Sequence, residues 1–139
     1  MTIQFFVPGI PKPGGSKRAF FRPGMKYPVI VEACKKTPEW RQAVVAAARA
    51  VFTGPLLTGP LNVEFCFQQM RPKGHFGAKG VKASAPVYPT TRPDVLKLAR
   101  STEDALTGVV WKDDSQNVTI ALHKSYAVAP GCLITIREL

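Results

Sequence analysis

The segment Thr90-Thr-Arg-Pro-Asp-Val-Leu-Lys-Leu-Ala-Arg-Ser-Thr-Glu-Asp-Ala-Leu-Thr-Gly-Val-Val-Trp-Lys-Asp-Asp-Ser-Gln116 contains a helix, a turn and the entry to a strand. Pro93 opens the helix. Val95, Leu98, Ala99, Thr102, Ala105 and Leu106 then group on one face at about 100° per residue, and Gly108 ends it. Trp111 leads into the Asp-Asp-Ser-Gln turn, after which Val118, Ile120 and Leu122 alternate with Asn117, Thr119 and Ala121 as a strand. The same stretch gathers Asp94, Glu103, Asp104, Asp113 and Asp114, five of the nine acidic residues in a chain of formal net charge +10.

That contrast points to nucleic-acid chemistry. A basic surface attracts a polyanion, while grouped carboxylates hold a divalent metal against it. Phosphodiester cleavage needs an activated water and stabilisation of charge on phosphate, both of which Mg²⁺ held by carboxylates supplies. Asp94 lies at the mouth of the helix and Asp113 and Asp114 at the start of the next strand, so packing strand on helix is expected to bring these acids together. Leu96, Arg100 and Glu103 share a helix face distinct from the apolar one, which offers Glu103 as a third carboxylate and Arg100 as a neutralising cation. Each acid also has a structural reading. Asp94 is a natural N-cap, Asp113 a natural Asx-turn residue, and Asp104 and Glu103 can pair with Arg100 or Lys97.

Outward from this segment, 139 residues fit a single domain, 1–139. Hydrophobic residues at 45% and charged residues at 20% give a globular balance, with no apolar run near the roughly 20 residues of a membrane span. The N-terminus reads as a first strand over residues 2–8 rather than as a signal peptide, and the expected location is the cytoplasm. Cys34, Cys66 and Cys132 are widely spaced and odd in number, without a Cys-x-x-Cys pair, so reduced thiols are expected, with Cys66 and Cys132 in the core.

Gly9–Arg18 is a basic, turn-rich loop, either a connector or a phosphate contact through Lys12, Lys17 and Arg18. Short strands are predicted at Ala19–Arg22 and Tyr27–Val31 around Pro23-Gly24. Thr37-Pro38-Glu39 opens a helix with Thr37 as N-cap, and Trp40, Val44, Ala47 and Val51 recur at helical spacing before Gly54. Leu61, Val63, Phe65 and Phe67 alternate with Asn62, Glu64 and Gln68 as a half-buried strand. Arg71–Pro93 lacks apolar periodicity and reads as a long basic loop with Lys73, His75 and Arg92, suited to a phosphate backbone. Phe76 and Tyr88 either wedge against unstacked bases or anchor this loop to the core. Ala127–Gly131 turns the chain into a last strand, Leu133–Ile136, expected to pair with the strand before it. The fold class is α+β or mixed α/β, a mixed sheet with two principal helices.

The segment from Arg92 to Gln116 resembles the signature of RusA-type Holliday junction resolvases, endodeoxyribonucleases frequent in phages and prophages. The resemblance rests on Asp-Ala-Leu-Thr-Gly and Lys-Asp-Asp-Ser-Gln in order and at the family's spacing. It extends more weakly through Val7-Pro-Gly, the Gly-Ser-Lys-Arg loop, Arg71-Pro-Lys and a terminal hairpin at Pro130-Gly131. It implies a homodimeric enzyme, dependent on Mg²⁺ or Mn²⁺, that nicks a four-way DNA junction symmetrically. Matched by position, Asp94 is the family's first catalytic acid and Asp114 its last. The second acid falls on Leu96, which cannot ligate metal, and the family's essential Lys falls on Arg100. Glu103, seven residues beyond Leu96 on the same face, is the expected replacement carboxylate, with Asp113 next. The expected metal set is therefore Asp94, Asp114, Glu103 and Asp113, with Arg100 catalytic and Lys12, Lys17, Arg18, Lys73, His75, Arg92 and Lys97 on DNA. Leu96 keeps open a non-catalytic protein that binds branched DNA, and the charge alone would also suit an RNA-binding protein or a less selective nuclease.

Overall fold

Alternation through Leu61, Val63, Phe65 and Phe67 gives a nine-residue strand whose four apolar side chains are fully buried, and the computed structural model builds its main sheet on it. The structure describes residues 1–15, 17–32 and 34–139, and the side chains of these except at 17, 18 and 30–32. In chain order the elements are β1 (Thr2–Pro8), β2 (Lys17–Phe20), β3 (Val29–Glu32), α1 (Thr37–Val51), β4 (Leu61–Gln69), β5 (Phe76–Gly77), β6 (Gly80–Val81), α2 (Val95–Leu106), β7 (Asn117–Tyr126) and β8 (Gly131–Glu138). Single 3₁₀ turns lie at Lys73–His75 and Asp114–Gln116. The result is one α+β domain, a mixed four-stranded sheet in the order β1-β8-β4-β7 with both helices on one face.

The strand order corrects the expected final hairpin. β8 lies between β1 and β4, antiparallel to both, while β7 runs parallel to β4 on its other side. Cys132, Ile134 and Ile136 are all buried, so β8 gains by taking neighbours on both sides. β7 carries the exposed Val118 and Ile120, and only Leu122 of its three alternating apolar residues packs against the core. It is accordingly an edge strand. Its link to β8 crosses the end of β4, where Ala127 N–H donates to Gln69 O at 2.9 Å.

α1 buries Trp40, Val44 and Ala48, an i, i+4, i+8 stripe, and leaves Val51 exposed, contrary to the predicted Ala47–Val51 continuation. The Trp40 indole donates to Thr102 Oγ1 at 3.1 Å and Arg41 pairs with Asp104 at 3.4 Å, so a polar bond and an ion pair join the two helices. Thr37 does not cap α1. It is buried, and its hydroxyl donates to Pro13 O at 2.6 Å, tying the N-terminal loop to the helix instead. β2 and β3 lie about two residues further from the Pro23-Gly24 turn than predicted, and β2 takes Lys17 and Arg18 out of the expected loop. The long segment after β4 is not wholly irregular either, since β5 and β6 form a small hairpin in it. Cys132 is buried as expected, whereas Cys66 is only half-buried; all three thiols are free. No helix among the described residues is long and apolar enough to cross a membrane.

Candidate active site

α2 organises the site, with chemistry at both ends. At its amino end Asp94 occupies the N-cap position with extended backbone, yet its carboxylate makes no capping bond. The cap reading of Asp94 therefore does not hold. The exposed side chain lines a cleft of about 730 Å³ with Lys12, Cys34, Arg92, Lys97 and Tyr126, together with Ile10, Met70 and several prolines. The loop wall is fixed closely to α2. Gly14 N–H donates to Lys97 O at 2.8 Å, the buried Ser101 hydroxyl donates to Lys12 O at 2.5 Å, and Gly14 packs where any Cβ would meet Ser101 at 3.1 Å. Burial alone would raise the Cys34 thiol, but hydrogen bonds from Thr37 and Lys36 and the charge of Lys12 hold it below its ordinary value.

At the carboxyl end, Trp111 is fully buried and its indole donates to Asp114 Oδ1 and Thr107 Oγ1, both at 3.0 Å. Thr107 Oγ1 also bonds Asp114 Oδ1, so the carboxylate is oriented from two sides. Asn117 Nδ2 donates to Glu103 Oε2 at 2.8 Å. Burial raises the Glu103 carboxyl above its ordinary value; the Asn117 bond and Arg100 oppose this, and the charges of Asp114 and Asp104 add to it. Asp113 also serves the turn: its Oδ1 accepts from Ser115 N–H at 2.9 Å in a capping box completed by Gln116. Bonds from Ser115 hold its carboxyl below the ordinary range.

The two ends stay apart. β7 packs along α2 in the opposite direction, with Asn117 on Glu103 and Lys124 Nζ donating to Thr91 O and Pro93 O at 3.0 Å. The expected meeting of acids happens only at Glu103 and Asp114, because at 1.5 Å per residue Asp94 lies about 14 Å along the helix from Glu103. Between them run Leu96, 72% exposed, and the exposed Arg100, whose side chain lies against Gly15. Glu103, Asp114 and the buried, unbonded Asn117 Oδ1 are hard oxygen donors suited to a divalent cation. Among the described residues, however, no three His, Cys, Asp or Glu side chains come together to hold one. The donors of one chain therefore match such a metal in chemistry but are not assembled round it.

Of the predicted DNA contacts, Lys12, Arg92 and Lys97 meet in the cleft, while Lys73 stands exposed on the long arm. The side chains of Lys17 and Arg18 lie outside the described residues. His75 is an anchor of the arm, with Nδ1 at 3.3 Å from Arg71 and its ring edge-on to Tyr126. Arg71 lies 4.4 Å from the Tyr126 ring centroid and donates to Pro86 O at 2.6 Å. Phe76 and Tyr88 are both exposed, so the arm is held by Arg71, His75 and the buried Pro89 rather than by them. Thr107, Asn117, Ser101 and Cys34 are further residues of the site not expected from the sequence; Thr107 and Asn117 lie in or beside the quoted motifs, and Asn117 directly follows Gln116.

The fold is an α+β domain with carboxylates distributed along one helix, a basic cleft at its start and an oriented aspartate at its end. Residues 11–137 match the family described as Endodeoxyribonuclease RusA, and the chain belongs to that family. It is also 31% identical over 140 residues to "Uncharacterized protein YqaN" of Bacillus subtilis (strain 168), covering 99% of this chain and 96% of the relative.

Proposed function

We propose that the protein is a Mg²⁺-dependent endodeoxyribonuclease that resolves four-way DNA junctions by paired nicks. In this reading it acts as a homodimer in which each site joins Asp94 of one copy to Glu103 and Asp114 of the other. The observation that carries this is the placement of the acids at opposite ends of α2, beside an edge strand running the other way. Among the described residues β7 pairs with β4 alone and leaves a row of backbone groups for another strand, with Val118 and Ile120 exposed along it and Leu96 exposed on α2. A second β7 laid antiparallel across a two-fold axis reverses the partner's α2 as well. Asp94 of each copy then approaches the carboxyl end of the other helix, and two equal sites face the two-fold symmetry of a junction.

A divalent cation bound there, Mg²⁺ or Mn²⁺, supplies Lewis acidity and a more acidic water. The protein's own groups do the rest. Lys12, Arg92 and Lys97 receive the phosphate beside Asp94, and Arg100 brings a fixed cation to the charge that develops on it. Trp111 and Thr107 keep the Asp114 carboxylate at a fixed angle. The expected setting is a bacterial cytoplasm, with a phage or prophage as the source of the gene.

One observation favours a second reading. Leu96 stands where the family pattern has an acid, and a chain lacking that ligand would bind branched DNA without cutting it. Incubating the protein with a synthetic four-way junction and a matched linear duplex, in Mg²⁺ or in EDTA, separates the two. Paired symmetric nicks in the junction alone, abolished by EDTA, support resolution; tight binding without any nick overturns it.

A further inference from the structure

We infer that the hairpin of β2 and β3 is a stacking finger that receives unpaired bases of branched DNA beside the cleft. The inference rests on branched DNA as the substrate and adds a base-binding element to it. Phe20, Phe21, Met25 and Tyr27 crowd round the tip of this hairpin and are all exposed, Phe21 at 67% and Tyr27 at 69%. None of them belongs to the hydrophobic core or packs against it. The Arg22 guanidinium lies 5.8 Å from the Phe20 ring centroid and Lys26 Nζ 5.7 Å from that of Tyr27. Rings interleaved with cations form a sequence-tolerant platform for bases, because every base offers a π-face and every nucleotide a phosphate.

Charge selects this occupant over an apolar protein surface. From Lys17 to Lys36 the sequence places Lys17, Arg18, Arg22, Lys26, Lys35 and Lys36 against a single acid, Glu32. Unpaired bases are selected over duplex because stacked pairs have no free face to offer. The hairpin is also rooted beside the site. Its incoming strand follows Gly14 and Gly15, which lie against Ser101 and Arg100 of α2, and its outgoing strand leads to Cys34 in the cleft wall and Thr37 at the start of α1. A strand unpaired at a branch point would thus pass from the finger to the cations round Asp94.

The test is binding in EDTA, where no cutting occurs, to three fluorescent DNAs: a single strand, a four-way junction with 2-aminopurine at the branch, and a linear duplex. The double variant Phe21→Ala, Tyr27→Ala is expected to lose about tenfold or more affinity for strand and junction, stay within about twofold on duplex, and cease to quench 2-aminopurine. Phe21→Trp with Tyr27→Trp should retain all three. Equal losses on the three DNAs, no loss on any, or a changed sedimentation mass, which would assign the rings to a protein interface, each overturn the finger. Should the alanine pair unfold, Tyr27→Ala alone carries the same expectation. A parent protein that quenches 2-aminopurine but never cuts in Mg²⁺ sinks the nuclease reading and leaves the finger standing.

Discussion

Asn117 Nδ2 donates to Glu103 Oε2 at 2.8 Å, joining the first residue of β7 to the last turn of α2. The bond holds a carboxylate in place where burial and two neighbouring aspartates oppose its charge. A glutamate with a raised folded pKa binds its proton more tightly in the native than in the unfolded chain. Its contribution to stability is therefore present below its ordinary value of 4.5 and is lost as pH rises through the higher folded value. In metal-free protein at pH 7, Glu103→Gln should melt at a higher temperature than the parent, and the gap should close as the pH is taken below 4.5. The same substitution should lower junction cleavage about 10- to 100-fold. Full cleavage by the variant would remove Glu103 from the site.

Asp94 and Asp114 make a sharper test because they occupy opposite ends of one helix. Asp94→Asn and Asp114→Asn, each pure, should lose about 100-fold or more of junction cleavage. Mixed after unfolding and refolding together, the two inactive proteins should regain nicking of one strand. In a mixed dimer one shared site carries both lesions and the other carries neither. Sites complete within one chain would give no recovery, and gel analysis of the single nick distinguishes the cases.

The exposed Val118 and Ile120 of the edge strand give a test of the proposed assembly. A charge at Ile120, 43% exposed on the edge strand, costs the single chain little, but in the proposed dimer it would be brought close to its own copy near the two-fold axis. Ile120→Arg should halve the mass in sedimentation equilibrium, abolish cleavage and leave the melting curve of the remaining monomer cooperative. A dimer that survives this change does not use β7.

Much of this was readable in the chain because it depends on local period. β1, β4 and both helices follow from alternation and helical spacing, and Asp94 and Asp114 stand out as acids at the two ends of a helix. The position of β8 was not readable, because strand order depends on which buried strand needs two neighbours, and a short link from β7 suggested a hairpin. The caps misled for a related reason. Thr37 and Asp94 have the right side chains to cap, but the Thr37 hydroxyl meets Pro13 O in the folded chain and the Asp94 carboxylate is left toward the cleft. The separation of the acids was latent in the sequence, since a 12-residue helix between them already fixes their distance. What it could not tell was that β7 runs antiparallel to α2 and so leaves them apart.

Cys34 offers a chemical reading of the cleft without any change to the acids. The thiolate is the reactive form, and Cys34 is partly exposed with its pKa held down, while burial pushes those of Cys66 and Cys132 up. Iodoacetamide should therefore alkylate Cys34 first and Cys132 last, read by mass spectrometry of the peptides. If the junction enters the cleft, a phosphate on Lys12 removes one of the charges that favour the thiolate, and the DNA also covers the sulfur. Saturating junction in EDTA should then slow alkylation of Cys34 several-fold and move the midpoint of its pH–rate profile upward. An unchanged rate and midpoint at saturation would place the DNA elsewhere and take Lys12, Arg92 and Lys97 out of its path.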